Sequence, residues 1–188
     1  MKYNPHTHHR RSIRVDRWDY RNEGAYFITI CTYNKIPLFG EIADREMRLN
    51  RLGRAVEEEW LRSAEIRAEI ELDAFVVMPN HIHGVVWIAN VVGAQGLAPL
   101  RPDTVRPFAV MPRSLGSMIR GFKSGAKIHI NRLRGTPGAS VWQRNYYERA
   151  LRDERELAAA RQYVLNNPLK WAEDKHNPLL AMQPGQAM

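Results

Sequence analysis

Apolar and polar positions alternate along Ala25-Tyr26-Phe27-Ile28-Thr29-Ile30-Cys31-Thr32-Tyr33, and the β-branched and aromatic content of that run predicts the first strand. Residues 38–42 and 46–49 predict a small hairpin around Ala43-Asp44-Arg45. Asn50 then suits the N-cap of a helix reaching about Ser63, because Leu52, Val56 and Trp60 recur every fourth residue. Residues 69–78 and 81–89 predict two further strands joined by a turn at Pro79-Asn80, hence an antiparallel hairpin.

After a proline-containing stretch at 91–111 without periodicity, expected to be a mobile loop, residues 114–133 carry Leu115, Ile119, Phe122, Ile130 and Leu133 at helical spacing behind a capping serine. Residues 141–150 predict the last strand, with Tyr146 and Tyr147 on opposite faces. A final helix opens at Asp153, with Glu156 at capping-box spacing, and Pro168 ends it.

The order β, α, β, β, α, β and a further helix is the split βαβ pattern. It predicts an α+β, ferredoxin-like core: an antiparallel sheet with two crossover helices on one face, and the C-terminal helix against the other. A length of 188 residues favours one domain. The expected divisions are a flexible basic arm at 1–23, the folded domain at 24–172 and a tail at 173–188.

Charge changes the picture more than composition does. The chain carries a formal charge of +8, and residues 104–147 contain no Asp or Glu. The eight cations of that stretch, Arg106, Arg113, Arg120, Lys123, Lys127, Arg132, Arg134 and Arg144, equal the whole excess. Such concentration points to a polyanion-binding surface rather than to general solubility. Cys31 is the single cysteine, which excludes an internal disulfide and a cysteine zinc cluster. With no apolar run of about twenty residues and no hydrophobic segment behind the basic start, a cytoplasmic, nucleoid-associated protein is expected.

Candidate chemistry centres on Met78-Pro79-Asn80-His81-Ile82-His83. In a strand the side-chain period is two, so His81 and His83 leave one face and can share a metal ion. On the terminal helix Tyr163 and Asn167 are four residues apart and therefore stack on one face. A divalent ion held by two imidazoles and the Asn167 amide oxygen keeps open positions for phosphate oxygens, and a phenol one turn away can attack the phosphorus. The resulting phosphotyrosine stores the ester, so the cut strand can be rejoined to a different end. His6, His8 and His9 lie in the polar N-terminal arm and are not expected to form a site. Tyr146 and Tyr147 are rival nucleophiles, better read as core packing and as surface or base stacking.

At these residues the chain resembles the single-tyrosine HUH transposases, through the histidine-hydrophobic-histidine motif His81-Ile82-His83. It resembles their REP-associated branch through Val141-Trp142-Gln143-Arg144-Asn145-Tyr146-Tyr147, Arg152-Asp153-Glu154 and Tyr163-Val164-Leu165-Asn166-Asn167-Pro168. Arg10-Arg11-Ser12-Ile13-Arg14 and Gly24-Ala25-Tyr26-Phe27-Ile28-Thr29-Ile30-Cys31-Thr32 extend the likeness over about residues 10–172.

The resemblance implies single-stranded or hairpin DNA as partner and cleavage near the hairpin through a 5′-phosphotyrosine that leaves a free 3′-hydroxyl. It implies Mg²⁺ or Mn²⁺ on His81, His83 and Asn167, with Tyr163 as nucleophile and the protein acting as monomer or homodimer. Many relatives carry Gln at the third-ligand position, where Asn167 reaches less far. Arg10, Arg11, Arg14, Arg113, Arg120, Lys123, Lys127, Arg132 and Arg144 are the expected DNA-binding residues. Two alternatives stand beside this reading: a domesticated, catalytically silent hairpin-DNA-binding protein, and a metal-dependent phosphoesterase with water as nucleophile. The latter would favour a third alternate histidine, where Val85 stands.

Overall fold

The computed structural model describes residues 23–89, 114–178 and 180. Arg10, Arg11, Arg14 and Arg113, the arm at 1–22, the stretch at 91–111 and the end of the expected tail lie outside them. Six strands and three helices follow in the order β1 (Gly24–Cys31), β2 (Gly40–Ala43), β3 (Glu46–Leu49), α1 (Arg51–Glu65), β4 (Ile70–Met78), β5 (His81–Ile88), α2 (Leu115–Leu133), β6 (Tyr147–Leu151) and α3 (Glu154–Leu165). A 3₁₀ turn, Pro168–Glu173, follows α3.

Strands β4, β5, β1 and β6 form one antiparallel sheet in that order, and β2 with β3 forms a separate hairpin. This is the ferredoxin-like arrangement. Positive φ at Asp44 and Arg45 gives the β2–β3 hairpin a turn whose twist matches its strands.

The caps explain where the helices begin. Asn50 accepts from the backbone N–H groups of Leu52 and Gly53 at the start of α1. Ser114 and Ser117 close a reciprocal box at the start of α2, and Asp153 accepts from Glu156 N at the start of α3. Glu156 does not complete the expected box on Asp153; its carboxylate accepts instead from the backbone and guanidinium of Arg152.

The parity of the strands divides the core in two. Tyr26, Ile28, Ile30, Ile82, Val86 and Ile88 point to the face covered by α1 and α2, where Val56, Trp60, Met118, Ile119 and Phe122 pack against them. Gly84 belongs to this face; a Cβ there would stand 2.8 Å from the Trp60 ring, so its absence lets the indole approach β5 closely. Ala25 and Val85 point the other way, against Leu157, Ala160 and Val164 of α3. The small side chain of Ala160 allows that approach, while Ala158 and Ala159 are exposed.

One expected boundary is corrected. The last strand begins at Tyr147, not at 141, and Trp142 makes only an isolated bridge to Thr32. The reason is local. Trp142 donates its indole N–H to the Lys123 carbonyl and packs its ring on Phe39 and Phe122. The Lys123 ammonium in turn donates to the carbonyls of Gln143, Arg144 and Asn145. Residues 143–145 are thus held by α2 rather than by the sheet.

Candidate active site and metal centre

His81 and His83 leave β5 on the α3 side of the sheet, both fully buried, with ring centroids 4.5 Å apart. Each presents Nδ1 to a fixed partner. His81 Nδ1 lies 2.8 Å from Asn80 Oδ1, and His83 Nδ1 lies 2.8 Å from Thr29 Oγ1 on the neighbouring strand.

Asn80 settles the His81 tautomer. Its Nδ2 donates to the carbonyls of Lys35 and His176, which accept only, so Oδ1 must face the ring and accept from Nδ1–H. The Lys35 carbonyl reaches Asn80 because Asn34 and Lys35 both adopt positive φ. The His81 Nε2 lone pair is therefore left bare, and among the described residues no hydrogen-bond donor reaches it.

Burial drives the His81 pKa down to about 3, helped by the nearby His176, and burial with the His81 neighbour holds His83 well below the usual histidine range. Both rings are neutral at pH 7, the form that ligates a metal.

Three further groups converge on them. The Tyr163 hydroxyl reaches across from α3 to 3.4 Å from His83 Nε2, and its ring meets the His83 ring edge-on. Asn167 lies against both the His81 ring and the Tyr163 phenol, and its Oδ1 is buried without a hydrogen-bond donor. Asp174, placed by the 3₁₀ turn, brings Oδ2 to 3.7 Å from His81 Nε2. Ligand atoms of His81, His83 and Asp174 all lie within 4.8 Å of one another.

Two buried acceptors without donors among the described residues, a neutral imidazole beside them and a carboxylate fit a divalent cation, and those residues are the ones that would hold it. Replacing Asn80 by Ala frees the His81 ring to turn and leaves the two carbonyls unpaired. Mn²⁺ affinity, measured by calorimetric titration, should fall about 10- to 100-fold with every ligand side chain intact.

Tyr163 is half-buried, and burial with the adjacent Asp174 carboxylate raises its pKa above the ordinary phenol value. The ring is positioned from several sides. Phe27 stacks on His83 and meets Tyr163 edge-on, while α3 is fastened to β4 by Arg161, whose guanidinium grips both carboxylate oxygens of Asp73. That bond, with the Trp87 indole donating to the same carboxylate, pulls the Asp73 pKa down to about 2.

The rival phenols stand apart from this constellation. Tyr146 donates to Glu148 and packs against the α1/α2 core. Tyr147 is exposed beside Phe27 on the α3 side.

Asp174 and His176 are the residues that sequence reasoning missed. Both lie in the segment assigned to a tail, yet Asp174 and Asn177 are buried and His176 packs 4.8 Å from the His81 ring. The only available signal was Asp174-Lys175-His176, two potential ligands closely spaced, in a stretch with no periodicity to place them.

The expected DNA-binding set is not gathered around the imidazoles. Arg120, Lys127 and Arg132 ride on α2, across the sheet from His81 and His83. Arg144 is exposed on the segment tied to that helix. Lys123 differs from them in its contacts: its ammonium donates to three backbone carbonyls, and burial lowers its pKa to about 8. Closer to the site, a cleft of about 300 Å³ is lined by Tyr163, Asn167, Lys170, Glu173, Asp174 and Lys175.

No helix among the described residues is long and apolar enough to cross a membrane. No family model matches the chain. A Haemophilus influenzae protein described as uncharacterized is 41% identical over 175 residues, which are 93% of this chain and 96% of that protein. Among solved structures, a REP-associated tyrosine transposase bound to a REP hairpin matches with a TM-score of 0.55 at 18% identity, over 86% of this chain and 76% of that one. The chain therefore belongs to one family with the Haemophilus influenzae protein and has the fold of the REP-associated tyrosine transposase.

Proposed function

We propose that the protein is a metal-dependent endonuclease and strand transferase for single-stranded DNA, cutting near hairpins through a 5′-phosphotyrosine as a single-tyrosine HUH transposase does. The observation that carries this reading is the Tyr163 hydroxyl, 3.4 Å from a neutral imidazole of a two-histidine pair and contributed by the same chain. A solved structure of the same fold bound to a REP hairpin supports hairpin DNA as the ligand class.

The chemistry divides among the side chains. His81, His83 and either Asn167 or Asp174 would hold a divalent cation, which would supply Lewis acidity to phosphate oxygens. Tyr163 Oη forms the new ester bond to phosphorus as the bond to the 3′ oxygen breaks; the phenol loses its proton and the 3′ oxygen gains one. Phe27 and the Arg161–Asp73 pair hold the phenol in line, and Asn80 and Thr29 hold the two rings. Lys170 and Lys175 beside Tyr163 offer charge for the strand's backbone.

The test is a hairpin oligonucleotide with a single-stranded flank, labelled at its 3′ side and incubated with Mn²⁺ or Mg²⁺. A label that migrates with the protein on a denaturing gel, and is lost with a chelator, supports the transferase. Cleavage without an adduct would replace it by a hydrolase, and binding without cleavage by a silent DNA-binding protein.

A further inference from the structure

Helix α3 packs mainly on β4 and β5 and meets β1 and β6 through Ala25, Phe27 and Leu151. Beyond that contact a cleft of about 460 Å³ lies between β6 and α3. The strand register sets its floor. Tyr147 pairs with Thr29, and Arg149 pairs with Phe27, so these side chains stand in a row on the same face as His83. Its wall is the Arg155, Glu156 and Tyr163 side of α3.

Three properties of this cleft go unused by the site described above. Tyr147 is 40% exposed, a large aromatic left open on a sheet, and Phe27 meets it edge-on at 6.2 Å, leaving its ring to present a face. The charges cancel: Arg149 and Arg155 stand against Asp153 and Glu156, and Arg149 pairs with Glu156 at 2.9 Å. The phenol of Tyr163 lines both this cleft and the one that holds Lys170, Glu173, Asp174 and Lys175, so it marks the boundary between them.

A strand laid across Tyr163 therefore meets, on its β6 side, an aromatic platform with no net charge. That environment is unsuited to a bare phosphate backbone and suited to a neutral planar ring whose edge needs donors and acceptors. Its volume falls within the range of small-ligand sites.

We infer that the cleft between β6 and α3 takes one unpaired nucleobase next to the scissile phosphate, stacked on Tyr147, with Arg149 and Glu156 at its edge. Tyr147 is then a positioning residue that sets which phosphate reaches Tyr163. The inference rests on the strand-transferase reading.

The probe is a hairpin oligonucleotide with an oligo(dT) tail in which one thymine at a time is replaced by 5-iodouracil, compared with the same hairpin without a tail. Irradiation should attach the tail to Tyr147 from one or two adjacent positions. Tyr147→Leu should weaken binding of the tailed hairpin about tenfold or more while leaving the untailed hairpin unchanged, and Tyr147→Trp should restore it. Because the ring is exposed, the tryptophan variant also shows that the fold is intact. Tail binding that ignores Tyr147→Leu, with photo-adducts confined to other residues, overturns the inference and leaves the transferase standing. Failure of the wild-type chain to bind either oligonucleotide overturns the transferase, and the inference with it.

Discussion

Tyr163→Phe should lower strand cleavage about 10⁴-fold or more and remove the covalent adduct, with hairpin binding and Mn²⁺ affinity unchanged. The expectation is large because the hydroxyl is the one group that the substitution deletes. The ring survives, and with it the edge-on contacts to Phe27 and His83 that seat α3 on the sheet. The hydrogen-bond geometry lost with His83 Nε2 is long at 3.4 Å, so little stability goes with it. Tyr147→Phe is the matched control and should still form the adduct. Should Tyr163→Phe cleave normally while Tyr147→Phe does not, the nucleophile is misassigned.

The second large effect is acid sensitivity of the metal-free protein. The folded pKa of His81 is about 3, against about 6.5 in an unfolded chain, and that of His83 is also far down. The unfolded chain therefore binds protons that the native state refuses, and unfolding takes them up. For a depressed histidine the stability is complete above about pH 6.5 and is lost as pH falls toward the folded value. Each such ring removes about 1.4 kcal/mol per pH unit across that window.

Urea unfolding with chelator present, run between pH 8 and 4, should show this slope begin near pH 6.5. His81→Gln with His83→Gln should flatten it. Asp73 acts in a lower window: its depressed carboxyl contributes stability above about pH 4 and loses it as pH falls through about 2. A stability profile level from pH 8 to 4 would mean that the rings are charged or solvated in the native state.

Much of the site could be read from residue spacing. A period of two put His81 and His83 on one face, and a period near four put Tyr163 and Asn167 together. Asn50, Ser114 and Asp153 announced the helix starts through cap chemistry. What escaped has physical causes. Asp174 and His176 follow Pro168 in a 3₁₀ turn, where no regular repeat predicts direction. Asp73 sits at a bulge where the register of β4 slips between Leu72 and Phe75, so alternation gives no warning that it reaches Arg161. Lys123 looked like its basic neighbours on α2, and only tertiary packing turned its ammonium inward. A stretch of like charge revealed excess but not direction, which is why the α2 cations lie across the sheet from the imidazoles.

Every group placed around the candidate centre, His81, His83, Tyr163, Asn167 and Asp174, comes from a single polypeptide. If the proposed transferase works through this one-chain centre, dilution should leave its rate per molecule unaltered, and a rate that falls on dilution would show that a second copy is required.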